Sequence, residues 1–600
     1  MTPKFKSDVD IEQVREEPMV GAEKKSEEEG AEKPKEKKKA RKKSEHERLK
    51  PNAGNIEAEN DTNSTQSIIY LERSNIMRFD EELLPNIQML VGDVVLRHDS
   101  VYLYCDSAHF NQPDNSFDAF GNVVIEQGDT LTIYADKLFY DGNTKIADLN
   151  DNVVMENNDV ILNTDTFTYD RNKNLGYYLC GGTIQDSINT LTSKHGYYWS
   201  DTKIAEFKLD VVGVNDSSTL YSDTLTYNTE TKIATILGPT TINYNNNSTI
   251  LYSELGWYNT STDKSQLLKE SKITHNDGKI LIGDTIYYDK NRGIGKAFHN
   301  VELIDTANSI TLYGHYGLYQ EDNEIGLVTD SALMVEYSSE DKIYVHADTL
   351  YTYAIDDEEN MVLAYHNARL FNIDAQGVCD SLTYFTGDSI LVLMQLPILW
   401  TDGKQITGDT VKLIPKDGSF DHVHVINNAF IVIEEDTAHF NQISGKEIFG
   451  YIADNELKRL EVIANVQSIM YPIDEGEIIG LNSIESSYMN VYFKDGKLDK
   501  MNVFPAPKAT LYPIREVTEQ MQKLSNFSWQ IEVRPAKWED VFLRPKRATQ
   551  AEIDAQKKAI ADEEKEQKRL DRKNSRNKEE GQEGDDKNSM QGNSGSKLKL

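Results

Sequence analysis

The sequence predicts an all-β protein, an elongated antiparallel array of bent strands with charged, disordered or helical tails. Three observations predict it. A six-residue phrase recurs along the chain (small residue, Asp, any, apolar, any, aromatic). The alternation of apolar residues slips at its Asp, and only short turn sequences separate the apolar segments. Self-similarity at a near-constant period marks a repeat architecture, in which each unit buries its apolar face against its neighbours.

The phrase appears as Ala135-Asp136-Lys137-Leu138-Phe139-Tyr140, Thr164-Asp165-Thr166-Phe167-Thr168-Tyr169 and Ser222-Asp223-Thr224-Leu225-Thr226-Tyr227. It returns as Gly283-Asp284-Thr285-Ile286-Tyr287-Tyr288 and Cys379-Asp380-Ser381-Leu382-Thr383-Tyr384. Aligned on the Asp, the register runs Asp106, Asp136, Asp165, Lys194, Asp223, Glu254, Asp284, His315, Asp348, Asp380, Asp409, Asp436, in steps of 27 to 33 residues. Four residues further on stands an aromatic side chain, except at Thr352 and Leu413.

Each phrase predicts a strand bent at its Asp. Leu131, Ile133 and Ala135 alternate before Asp136, whereas Leu138 and Tyr140 alternate after it. A period-2 face that shifts by one residue marks a bulge or corner. The small residue leaves room for the turning backbone, and the Asp carboxylate is expected to accept from N–H groups freed at the bend. The Asp column is therefore structural rather than catalytic.

Asp141-Gly142-Asn143-Thr144-Lys145, Asp170-Arg171-Asn172-Lys173-Asn174 and Asn228-Thr229-Glu230-Thr231-Lys232 come after the aromatic and predict tight hairpins. A second strand then carries Gly121-Asn122-Val123, Asp151-Asn152-Val153 or His299-Asn300-Val301 before another short turn. Parallel crossovers need a dozen or more residues, so the array is a meander. With every strand bent once, two sheets face each other like a closing book, apolar residues inside. The inward positions near the fold are Leu103, Ile133, Leu138, Leu162, Phe167, Leu220, Leu225, Leu251, Leu281, Ile286 and Leu312.

Composition sets the boundaries. Residues 1–62 are Lys/Glu-rich with almost no apolar content, which predicts a disordered segment. The β repeat array spans 63–450, 451–545 hold further repeats or a cap, and 546–600 form a charged helical or disordered tail. Residues 51–545 carry 35 basic and 74 acidic side chains, a net charge of about −39. That excludes nucleic acid as a partner, because phosphate binding needs clustered Lys and Arg. No apolar run is long enough for a transmembrane helix, and no signal peptide is recognisable after Met1.

Cys105 and Cys379 occupy the small-residue slot before the Asp, as buried residues far apart along the array rather than a disulfide pair. His422-Val423-His424 places two imidazoles on one strand face, but no third ligand is identifiable, so no metal is expected. His109 and His439 are expected to face solvent. No nucleophile elbow, phosphate loop or zinc-hydrolase motif occurs, so no catalytic residue and no cofactor are expected.

The apolar strand ending in Ala135-Asp136-Lys137-Leu138-Phe139-Tyr140, with Phe120-Gly121-Asn122-Val123-Val124-Ile125 before it, resembles the OstA/LptA-like domain of lipopolysaccharide transport. The resemblance runs over roughly residues 66–450. It implies a bent β-jellyroll, the "β-taco", whose groove holds the acyl chains of lipid A, so that the eleven inward residues become groove candidates. It also implies a non-enzymatic bridge in the periplasm or at the periplasmic face of the outer membrane, partnered by other Lpt-type envelope proteins through edge-strand pairing. The chain departs from the family in its length, and no outer-membrane barrel pattern comes after the array. A structural or adhesive β-repeat scaffold with a closed, dry core is the competing expectation.

Overall fold

The structure is a computed structural model that describes residues 67–546 apart from 83, 245–246, 339, 356–358, 417–418 and 455, together with scattered helical positions between 552 and 569. The chain divides into two units, Met1–Thr65 and Gln66–Leu600. The first, with the disorder expected over 1–62, lies outside the described residues, as does most of 546–600. All the described strands belong to the second unit.

Antiparallel pairing runs strand to strand from Tyr70 to Pro513, joining 42 strands into one continuous sheet. Leu131–Asp141 is typical: it pairs with Ser116–Gln127 on one side and Ile146–Asn157 on the other, with a register shift beside Asp136 in both ladders. In the middle of the array the corner interrupts the strand completely, as between Thr190–Ser193 and His195–Trp199. Each bent strand thus has a first arm before the corner and a second arm after it, as the apolar phase slip predicts.

The corners show how the bend is made. On the strands between the Asp phrases, two consecutive residues adopt left-handed backbone: Gly121 and Asn122 (φ 75° and 45°), Asp151 and Asn152 (65° and 53°), His299 and Asn300 (59° and 48°). Asn and Gly tolerate that conformation best. Asp436 accepts from the backbone N–H groups of Ala438 and His439 at 2.8 and 2.9 Å, but it lies in the turn before Phe440–Ala453, whose corner comes at Gly445–Glu447. The carboxylates at the corners have a different partner. They accept from the Asn of the following strand instead, Asn122 Nδ2 to Asp106 at 2.8 Å, Asn300 to Asp284 at 2.9 Å and Asn428 to Asp409 at 3.0 Å. Where the Asp is replaced by Lys194, the partner slot holds Asp210 and the two form an ion pair. At Gly314, in the small slot before His315, a Cβ would lie 2.4 Å from Val328 Cγ1 of the next strand.

Rungs continue beyond 450 without a break, through Glu456–Met470, Gly480–Lys494 and Lys497–Phe504 to Lys508–Pro513. The chain then runs back over the outer face of the first arms as a strap of short 3-10 turns. Two buried glutamines clasp it. The Gln442 amide donates to Gln522 O (2.7 Å) and accepts from Leu524 N (2.8 Å); Gln405 donates to Ser528 O (2.6 Å) and accepts from Gln530 N (2.8 Å). Further along, Arg369 donates to Val533 O at 2.9 Å, and Trp538 stacks on Tyr344 at 5.3 Å. Val533 and the fully buried Trp400 share a small apolar cluster beneath the strap.

Candidate functional site

Apolar pattern and topology converge on the interior between the two arms. One cluster of buried side chains extends without interruption from Ile69 to Phe493. Leu103, Ile133, Leu138, Leu162, Phe167, Leu220, Leu225, Leu251, Leu281, Ile286 and Leu312 all belong to it and all are buried. The structure therefore brings every inward position of the sequence pattern into one seam.

That seam is filled by its own side chains. Phe167 lies so close over Gly176 that a Cβ there would sit 2.1 Å from the ring, and Tyr178 covers Gly196 in the same way at 2.4 Å. Where the aromatic column lapses to Thr352, a cavity of about 10 Å³ remains, lined by Leu303, Ile310, Leu312, Tyr319 and Val362 among others. Such a volume holds one water at most.

Polar chemistry gathers at the rim, where the tips of the two arms meet. Asp186, on a first-arm turn, has a fully buried side chain that accepts from Tyr227 Oη at 2.6 Å, Lys232 Nζ at 2.9 Å and the backbone N–H groups of Ile188 and Asn189. Burial alone would raise its pKa, but these donors outweigh that effect and hold the carboxyl below its usual range. Elsewhere on the rim, Arg171 donates to the Tyr140 hydroxyl at 2.6 Å, while Lys145 pairs with Asp99 at 2.7 Å. Burial pushes the pKa of the adjoining His98 imidazole down, and its Nδ1 lies 2.7 Å from the Tyr140 hydroxyl. Lys290 pairs with Glu321 at 2.9 Å, and Lys279 with Asp305 at 2.7 Å.

Two of these contacts, and a third between Lys203 and Asn157 at 2.9 Å, share one geometry. Lys145, Lys203 and Lys232 each end a second-arm hairpin in left-handed backbone (φ 60°, 60° and 61°). Each reaches a first-arm residue 46 positions earlier: Asp99, Asn157 and Asp186. Left-handed lysine is uncommon and costs conformational energy, which the surrounding contacts must offset. The sequence held a signal for this row in the recurring Thr-Lys-Ile of Thr144-Lys145-Ile146, Thr202-Lys203-Ile204 and Thr231-Lys232-Ile233. Their partners on the opposite rim were not recognisable.

The four histidines that the sequence singled out are not part of the apolar seam. His422 pairs with Asp421, and His424 lies 3.4 Å from Glu447, its ring stacked on Phe449. His439 bonds to Asp436 at 2.8 Å, and His109 packs edge-on against Phe120. Among the described residues, no group of three His, Cys, Asp or Glu side chains is placed to hold a metal. Cys105 and Cys379 are free and buried.

Residues 66–223 match the family model described as OstA-like protein, and the chain thus carries an OstA-like region. Among solved structures the chain is similar to LptH of Pseudomonas aeruginosa, described as the LptA homologous periplasmic component of the conserved lipopolysaccharide transport device. That likeness has 14% sequence identity over 19% of this chain and 80% of that one, with a TM-score of 0.17. No match was found among the curated proteins.

Proposed function

We propose that the protein is a non-enzymatic carrier or bridge for lipopolysaccharide in the Gram-negative envelope, holding the acyl chains of lipid A between its two arms. One observation carries the reading: a single apolar seam enclosed from Ile69 to Phe493, in a chain whose residues 66–223 are OstA-like. Burying acyl chains there is worth about 0.8 kcal/mol per CH₂. Several chains would outweigh the repulsion between an acidic surface and a phosphorylated head group. The reading places the protein in the periplasm or at the periplasmic face of the outer membrane, with other Lpt-type proteins pairing onto its terminal strands.

The filled interior favours a second reading, a structural or adhesive β-repeat scaffold with a closed core. The carrier requires the arms to part; the scaffold does not. A photo-crosslinking residue at Leu251 or Ile286, probed in cells for lipopolysaccharide adducts, separates the two. Adducts at both inward positions, and none at the outward Thr224, support the carrier. Adducts confined to Thr224, or absent altogether, leave the scaffold.

A further inference from the structure

The rim is closed by contacts of unequal chemistry. Lys145 and Lys232 meet carboxylates, at 2.7 Å from Asp99 and 2.9 Å from Asp186. Lys203, with the same backbone conformation and the same reach, meets the amide oxygen of Asn157 at 2.9 Å. Among the described residues no carboxylate pairs with Lys203. Its direct partner is neutral and tied to other neutral groups: the Asn157 amide donates to Tyr198 Oη at 3.3 Å and to Ser200 O at 3.2 Å, and Tyr169 Oη lies 3.4 Å from Ser200 Oγ. Of the three lysine contacts this is the one whose direct partner is not a carboxylate, and so the one best suited to accept an anion.

A separate observation concerns the interior at the same level. Gly176 is the cross-strand neighbour of both Tyr169 and Tyr198, the two tyrosines beside this contact. It has no side chain to fill the space, and the Phe167 ring occupies it. Displacing that ring would vacate a slot against Gly176, beside the two tyrosines.

We propose that the seam opens at the Asn157–Lys203 contact. There Lys203 binds the anionic head group, phosphate or carboxylate, of an amphiphile whose chain replaces the Phe167 ring over Gly176. This rests on the carrier reading and specifies where the ligand enters and what holds its head.

Calorimetric titration of the full chain with dodecyl phosphate, dodecanoate and uncharged dodecyl maltoside, each below its micelle concentration, tests it. Both anions should bind about tenfold more tightly than the maltoside, the worth of one charge-assisted hydrogen bond. Comparing the two anions shows whether phosphate or carboxylate is preferred. Lys203→Gln should bring all three within twofold of one another, and Asn157→Asp should do the same by supplying the missing carboxylate. Lys272→Gln, at an exposed outer-face position, should keep the preference. Circular dichroism establishes that each variant is folded. Binding without an anionic preference, or a preference surviving Lys203→Gln, overturns this proposal and leaves the carrier standing. Failure of all three amphiphiles to bind overturns both.

Discussion

Lys232 donates to Asp186 at 2.9 Å from the opposite arm, 46 residues further along the chain. Thr190–Ser193 with His195–Trp199, then Ile204–Val214 and Ser218–Asn228, lie between them, so the contact fastens one rim to the other across three neighbouring rungs. Neutralising the carboxylate with Asp186→Asn leaves the largely buried Lys232 ammonium with only the exposed Asp159 carboxylate, 3.8 Å away, as counter-charge. The expected local loss is about 3 kcal/mol, read as faster amide exchange over Thr190–Ser193. Acid should act in the same way. The folded pKa of Asp186 is depressed, so its stabilisation is complete above the ordinary carboxylate value of about 3.9 and disappears as pH falls through the lower folded value. The Asn variant should lose that acid dependence at these amides.

The corner contact between Asp106 and Asn122 predicts a charge rule. Asn122→Asp places two carboxylates where a 2.8 Å hydrogen bond stood. It should cost about 1 kcal/mol in thermal unfolding. Adding Asp106→Asn restores a donor and an acceptor, and most of the loss should be recovered. Additive losses in the double variant would refute the pairing.

Phe167 and Gly176 are expected to be strongly coupled. Gly176→Ala forces a methyl into a ring 2.1 Å away and should destabilise by about 2 kcal/mol or more. Phe167→Leu leaves a cavity at a loss of about 1–2 kcal/mol. Together the substitutions compensate in volume, so a double-mutant cycle should return a favourable interaction of at least about 1 kcal/mol.

For the strap, Gln405→Ala removes a donor to Ser528 O and an acceptor for Gln530 N, both partly buried. Each orphaned group costs roughly 1–3 kcal/mol. Trypsin should then cut at Lys523 or Lys537 several times faster than in the parent chain. The repeat strands from Tyr70 to Glu336, distant along the stack from Gln405, should remain resistant.

How far the sequence could be read depends on the range of each interaction. Period-2 alternation and its slip at Asp136 are local, so the bent strands and the inward set from Leu103 to Leu312 were recognisable. The Asp–Asn corner contacts were half visible. Both phrases recur, but nothing in either says that Asp106 and Asn122 meet, because that depends on the left-handed pair turning the Asn toward the corner. The rim contacts and the strap were not recognisable. Asp186 to Lys232 depends on how far the two arms are offset along the stack. The strap has no period; its only local cue was the aromatic cluster Phe527, Trp529, Trp538 and Phe542. Whether the interior is filled was equally beyond the pattern, since Gly176 and Phe167 adjust to each other and not to any repeat.

The skew of the rim contacts also has a mechanical side. Tension along the stacking direction would pull neighbouring strands apart one ladder at a time, the mode in which a β-sheet peels most easily. A tie from Lys145 to Asp99, or from Lys232 to Asp186, shunts part of that load past the intervening strands. Failure at one ladder would then be caught before it spreads. An array fastened on the bias should stretch in small recoverable steps, as a woven strap does, instead of unravelling from its weakest strand.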